Sequence, residues 1–372
     1  MQKKLIALAI AGLMSAPVFA QSSVVLYGSI DYGYTSLGSN DDKGIKNRHG
    51  IDSSISKTNR IGFKGTEDLG NGLKAMFVLE SNLNGETDSM WQNARSRQSY
   101  GGFAGSFGTL TFGRQYTPQH SFASAVDPFG KNGFGSSGNV LMQDRRLDNL
   151  IVYVTPDFGG FKTLVGYTLD GYGNEAIENN GDTRVWTIAP SFTWNNLFVA
   201  ANYHAVRINR DHGTNAGSLR VFDAYDLHAS YDFGVVKLGS SIGRRTTEKG
   251  FVGTDKDVKL TQWMIGATFR ITPHDSVMAS YSRASENRVN GRDGRPRIGQ
   301  WAIGYEHALS KRTVLYSQLA LQSHNAPYKD YNFASYATDG AVGSVTSTNG
   351  PDVDGYPAQY RRGFAAGFRH DF

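Results

Sequence analysis

The chain of 372 residues carries 38 Lys and Arg against 33 Asp and Glu, for a net charge of +5, and it contains no cysteine. So small a charge excess spread over so long a chain is not the footprint of a nucleic-acid binder. The lack of cysteine excludes disulfides, thiolate metal sites and thiol nucleophiles.

At the N-terminus Lys3 and Lys4 precede an apolar run from Leu5 to Leu13, and Val18-Phe19-Ala20 supplies small residues ahead of Gln21. The arrangement predicts a signal peptide over 1–20, since the apolar run is too short and wrongly flanked for a spanning helix. No Pro- or Ser-rich linker divides the remainder, so 21–372 reads as one domain. Beyond residue 20 no stretch reaches the ~18 consecutive apolar residues that a membrane helix needs.

From there two kinds of break alternate. Seven are short and carry turn residues: 68–72, 105–108, 157–160, 195–196, 232–234, 272–275 and 310–312. The eight between them are longer and richer in Asp, Asn, Gly and Ser. They cut the chain into sixteen expected strands: 24–37, 54–67, 73–84, 94–104, 109–115, 147–156, 161–170, 183–194, 197–206, 224–232, 236–244, 258–270, 275–284, 299–309, 313–322 and 361–372. Leu73, Ala75, Phe77 and Leu79 alternate with Lys74, Glu80 and Asn82 on the other face. Leu227, Ala229, Tyr231 and Phe233 oppose Asp226, His228 and Ser230, and Phe364, Ala366 and Phe368 oppose Arg369 and Asp371. Alternation alone fits a soluble sandwich or a membrane barrel with the sense inverted. Segments near ten residues match the ~9–11 needed to cross a bilayer at a tilt, against ~5–6 for ordinary strands. Aromatics beside the short turns (Phe158, Phe161, Trp194, Phe198, Phe233, Phe269) fit an interfacial girdle. The expectation is an all-β, 16-stranded antiparallel transmembrane β-barrel with short periplasmic turns and long external loops. Two features stand apart: Leu150–Val154 is apolar on both faces and suggests protein on both sides, and Pro190 interrupts a strand.

Catalytic signals are lacking. The nine histidines are scattered without zinc spacing, and there is no nucleophile elbow or phosphate loop. Asp41-Asp42 and Asp352-Val353-Asp354-Gly355 lack the downstream Glu of a calcium loop and read as solvated carboxylates. No enzyme activity, metal or cofactor is expected.

The informative charges are arginines carried by strands: Arg60, Arg97 and, opening the sixth strand, Arg146. A lipid-facing arginine at mid-membrane costs about 2–4 kcal/mol, which turns all three toward the lumen. Taken singly, each also fits a structural arginine tied to a carboxylate or a loop carbonyl. The loop from Tyr116 to Arg145 is thirty residues long and unusually apolar, with Phe122, Val126, Phe129, Phe134, Val140 and Leu141. Folding inward against the barrel wall would bury these residues and narrow the channel. Asp127 would then face the arginines across the gap. A loop covering a neighbouring subunit is the alternative.

Several runs resemble the trimeric Gram-negative outer-membrane general-diffusion porins of the betaproteobacterial type. They are Val25-Leu26-Tyr27-Gly28, Arg60 to Ala75 (RIGFKGTEDLGNGLKA), Ser106 to Tyr116 (SFGTLTFGRQY), Tyr153 to Phe158 and the terminal Phe372. The resemblance implies a homotrimer, an inward-folded third loop, and a basic wall cluster carried here by Arg60, Arg97 and Arg146. Many members carry Pro-Glu-Phe-Gly in that loop. This chain has Asp127-Pro128-Phe129-Gly130, which leaves the acidic side weaker or relocated by one position. Phe372 resembles the signal read by the outer-membrane assembly machinery.

The expected function is passive diffusion of small hydrophilic solutes through a water-filled pore with modest anion preference. Expected surroundings are outer-membrane lipid and lipopolysaccharide. The rival reading is a surface-binding barrel whose external loops, above all the one from Ser323 to Tyr360, contact host or phage molecules. A substrate-specific channel would need an aromatic slide along the lumen, and the inward positions offer none.

Overall fold

The computed structural model describes residues 23–38, 47–83, 85, 96–130, 132–141, 146–171, 183–210, 217–248, 257–286, 297–324 and 362–372. The signal-peptide segment, both calcium-like aspartate groups and nearly all of the loop from Ser323 to Tyr360 lie outside these residues.

Seventeen strand segments form one sheet: β1 (Ser23–Gly38), β2 (Arg48–Ser53), β3 (Arg60–Gly70), β4 (Leu73–Asn82), β5 (Ser96–Gly105), β6 (Gly108–Tyr116), β7 (Arg146–Val154), β8 (Phe161–Thr168), β9 (Thr183–Trp194), β10 (Leu197–Arg210), β11 (Gly217–Asp232), β12 (Val236–Thr247), β13 (Val258–Arg270), β14 (Asp275–Glu286), β15 (Arg297–Ala308), β16 (Thr313–His324) and β17 (Arg362–Asp371). Every pairing is antiparallel, and β17 returns to β1 with Ser29 opposite Asp371 and Gly38 opposite Arg362. The sheet therefore closes into a barrel with no free edge.

There are sixteen positions around the ring, because β2 and β3 share one. β3 pairs with the first half of β1, from Ser23 to Ser29. β2 pairs with its second half, from Tyr32 to Leu37. The expected continuous strand over 54–67 is thus broken at 54–59, and the cause is Asp31. Its carboxylate accepts hydrogen bonds from the backbone N–H of Ile55, Ser56 and Lys57 and from the Tyr316 hydroxyl. Three amides turned toward one carboxylate cannot also serve a ladder, so the segment leaves the sheet, with Ser54 at φ 58°.

The barrel is inside out relative to a soluble protein. Leu227 and Ile265 on the outer face are 58% and 57% exposed, while the inward Asp226 and Gln262 are 3% and 2% exposed. Apolar rows of that extent are stable only against lipid. Among the described residues no helix is long and apolar enough to cross a membrane; the strands do the crossing. Phe158, Phe161, Trp194, Phe233 and Phe269 ring the short-turn end with exposed side chains. Phe198 does not join them. It points inward, its ring edge-on to Phe122 at 5.8 Å. The doubly apolar segment of β7 also divides by face: Leu150 and Val152 pack inward with Val185, Val206 and Phe222, while Ile151 is exposed on the outside. Protein covers one side of it only. Pro190 stays within β9, but the ladder to β10 passes from Ala200↔Ser191 directly to Tyr203↔Ile188.

Candidate functional site: an arginine wall facing an inward loop

The long break after β6 does not wave above the barrel. Thr117 caps a helix, α1 (Pro118–Val126), its hydroxyl accepting from His120 N–H at 3.1 Å, with Pro118 in the first turn where no amide bond is lost. Apolar content alone does not announce this helix, although Thr-Pro is a start signal legible in the sequence. Its buried side carries Phe122, Ala123 and Val126. Phe122 packs on Ala189 and Ala200 of the inner wall. Val126 and Leu141 enclose Met264. Gln119 donates through Nε2 to Asp226 at 2.5 Å, and Lys237 Nζ donates to the Ala125 carbonyl at 3.0 Å.

Past the helix the loop crosses to the far wall. Phe129 and Phe134 enter a cluster with Leu37, Ile55, Met278, Ala302 and Tyr316. Ile55 belongs to the segment that Asp31 pulls out of the sheet, so that break creates part of the loop's seat. Gln300 donates to the Ser136 carbonyl at 3.0 Å. The wall makes room with Gly266, where a Cβ would stand 2.5 Å from Pro128 Cγ. Nine-tenths or more of each of Phe122, Val126, Phe129 and Phe134 is removed from solvent, which answers why an external loop carries them.

Across the lumen from the strands that seat the loop stand the three arginines, on β3, β5 and β7. Arg97 is 2% exposed. Its Nε donates to Glu80 Oε1 at 2.6 Å, and its two terminal nitrogens reach Asn82 Oδ1 at 3.0 Å and the Tyr116 hydroxyl at 2.8 Å. A bulge places it: Glu80 pairs with Gln98 and Ser81 with Ser96, leaving Arg97 as the extra residue. Arg146 is fully buried; it donates to the same Tyr116 hydroxyl at 3.1 Å and lies over the Tyr116 ring at 4.6 Å. Arg60 is looser, with Nε 3.6 Å from Glu80 Oε2 and its side chain 21% exposed. Glu80 also accepts from the Tyr27 hydroxyl at 3.1 Å.

The structure thus gathers Arg60 and Arg97 on one carboxylate and joins Arg97 to Arg146 through Tyr116. Among the described residues this cluster holds three cations and one anion. Glu80 is the residue that sequence reasoning misses: alternation puts it on the inward face, but no local signal puts it in the cluster. Asp127 lies in the loop, 6% exposed. Its two oxygens accept from the Phe129 and Ser137 backbone N–H at 2.9 and 2.8 Å. Its carboxylate therefore ties the loop's turn to its return limb, a role that its place in the sequence does not suggest. Among the described residues no cluster of His, Cys, Asp or Glu could hold a metal ion.

A closed antiparallel barrel with a lipid-facing apolar exterior and a loop seated inside it defines a membrane channel protein. The profile of the Gram-negative porin family matches residues 7–326, and the chain belongs to that family. It is 32% identical over 330 residues to outer membrane porin protein 32 of Delftia acidovorans, covering 86% of this chain and 89% of that protein. It is 30% identical over 391 residues to an outer membrane porin protein of Bordetella pertussis, covering 92% and 98% of the two. Among solved structures, the anion-selective porin from Comamonas acidovorans superposes with a TM-score of 0.72 at 27% identity, covering 95% of this chain and all of that one. OmpF of Salmonella typhi shares the fold, at a TM-score of 0.65 and 16% identity. The chain is an outer-membrane porin, a channel for passive diffusion of small hydrophilic solutes.

Proposed function

We propose that this porin passes anions in modest preference to cations, with Arg60, Arg97 and Arg146 as the basic wall of its constriction and loop residue Asp127 as the acidic residue opposite. The observation that carries this reading is the gathering of three arginines around Glu80 and Tyr116. Among the described residues of this cluster one carboxylate stands with three guanidinium groups, which stay charged at any physiological pH. At ~0.1 M salt the screening length is ~10 Å, so charges lining a narrow passage act on every ion in transit. The likeness to a solved anion-selective porin supports the same sign. Asp127 weakens the field little, because its charge is turned onto two loop amides.

The reading extends to the assembly. Cleavage after Ala20 releases a mature barrel of 21–372, Phe372 serves as the signal for outer-membrane insertion, and three barrels associate around a shared axis in lipid and lipopolysaccharide. Phe372 is well set for a terminal role: it exchanges backbone hydrogen bonds with Gly28 at 3.1 and 3.2 Å and so closes the ring.

The decisive measurement is a reversal potential for the purified protein in a planar bilayer under a KCl gradient. Anion preference that falls when Arg60, Arg97 and Arg146 are neutralised is the expected outcome. Cation preference in the unmodified protein overturns the proposal.

A further inference from the structure

The outer face of the barrel carries a dent of about 690 Å³ across β9 to β13, and Pro190 is its origin. Proline has no N–H to give the ladder, and the β9–β10 pairing skips Ala201 and Asn202 opposite it. The small outward side chains Pro190 and Ala201 form a floor between the larger Ile188, Tyr225, Leu227 and Ile242. Ile188, Leu227 and Ile242 are each 47–58% exposed, so the hollow opens outward and not into the lumen.

Arg244 stands at the external rim of this hollow, exposed, opposite Tyr225 on β11 and Thr261 on β13. No hydrogen bond or ion pair ties it to another described residue, in contrast to the lumenal arginines. It is eight residues above Val236 at the short-turn end of β12. At about 3.3 Å per residue and a tilt near 45°, that is roughly 20 Å up a band about 25 Å tall, near the outer-leaflet interface. Tyr203 and Tyr225 pair beside it with ring centroids 4.9 Å apart, as interfacial aromatics do.

We infer that this hollow is a binding site for a phosphorylated acyl lipid of the outer leaflet, its chain on the Pro190–Ala201 floor and its phosphate on Arg244. Charge complementarity selects the occupant. A guanidinium at the lipid interface with no partner among the described residues is matched by a phosphate, which it grips in a bidentate fork. A largely apolar trough running down from that guanidinium suits a hydrocarbon chain. A second copy of the chain would have to bring a carboxylate to the same height. The inference rests on the outer-membrane placement of the barrel and is independent of the pore's ion preference.

Native mass spectrometry of the intact barrel with dioleoyl phosphatidic acid, against dioleoyl glycerol of the same chains, tests it. The wild-type protein should retain the phosphorylated lipid at least about tenfold more tightly, a ratio set by one charge-assisted contact. Arg244→Gln should abolish the difference and Arg244→Lys restore part of it. Ala201→Trp, which fills the floor while remaining lipid-facing, should weaken both lipids. Unit conductance of all three variants should match the wild type, separating this site from the pore. Equal retention of the two lipids by the wild type overturns the proposal without any variant. So does a photo-crosslinker at position 227 that captures a second barrel in place of lipid.

Discussion

The two halves of the lumenal wall are built on opposite plans. From β3 to β7 the inner surface presents guanidinium groups, Glu80 and the Tyr116 hydroxyl, held to each other and to Tyr27 of β1. From β9 round to β17 the inner surface seats a loop, through apolar clusters, Gln300 and the buried Asp226 that accepts from Gln119. One half gathers arginines and the other is shaped to a loop. The contrast teaches that a wide barrel gains a selective passage by covering part of its own wall. The part not spent on the loop carries arginines whose burial is offset by Glu80 and the Tyr116 hydroxyl. The loop's anchors and the arginines should accordingly fail in different ways.

Removing the anchors should give the largest change. Phe129→Ala together with Phe134→Ala takes two rings out of one cluster, at about 3–5 kcal/mol each by the usual cost of such truncations. A loop end held by one apolar cluster and a few polar contacts such as Gln300 to Ser136 cannot absorb that loss. Its tip should leave the wall, and single-channel recordings should show larger, noisier currents with the barrel intact by heat-shifted gel mobility. Quiet wild-type currents from the double variant would refute the division of labour.

Breaking the charged half at its most buried point should come next. Arg97→Ala leaves Glu80 buried beside the more distant Arg60 guanidinium. Losing one partner of a buried pair costs about 3–5 kcal/mol, whereas Arg97→Met with Glu80→Leu should cost much less. Urea unfolding midpoints in lipid vesicles decide between them. Arg60 is the gentler probe, since it is part-exposed and 3.6 Å from its carboxylate. Arg60→Gln should leave the midpoint within about 1 kcal/mol and still move the reversal potential toward zero.

How much of this was legible in the chain differs between the halves. The strand count and the outward faces come from local signals, namely turn length and period-two alternation. The burial of the third loop comes from its apolar content alone. What escaped depends on distant partners. Nothing near 54–59 says that Asp31, more than twenty residues earlier, will draw those amides out of the sheet. Leu197-Phe198-Val199-Ala200 is apolar at every position, so its facing cannot be read from pattern, and nearness to a turn points Phe198 the wrong way. Glu80 is visible on the inward face. Its union with Arg97 needs a bulge that only the strand pairing reveals.

Asp127 offers the finest test of the contrast, because it is a charge placed in the loop itself and not on the arginine wall. If its role is to fold the loop, then Asp127→Asn keeps one acceptor oxygen but loses the other, and either the Phe129 or the Ser137 amide is left without it. A hydrogen bond to a charged group is worth about 1.5–3 kcal/mol, so the turn should loosen and brief closures should become more frequent in single-channel traces. The reversal potential should shift less than in Arg60→Gln, since the lost charge is 6% exposed and already engaged by amides. A shift as large as that of Arg60→Gln, with gating unchanged, would place Asp127 in the field of the passage and make the loop a second charged wall.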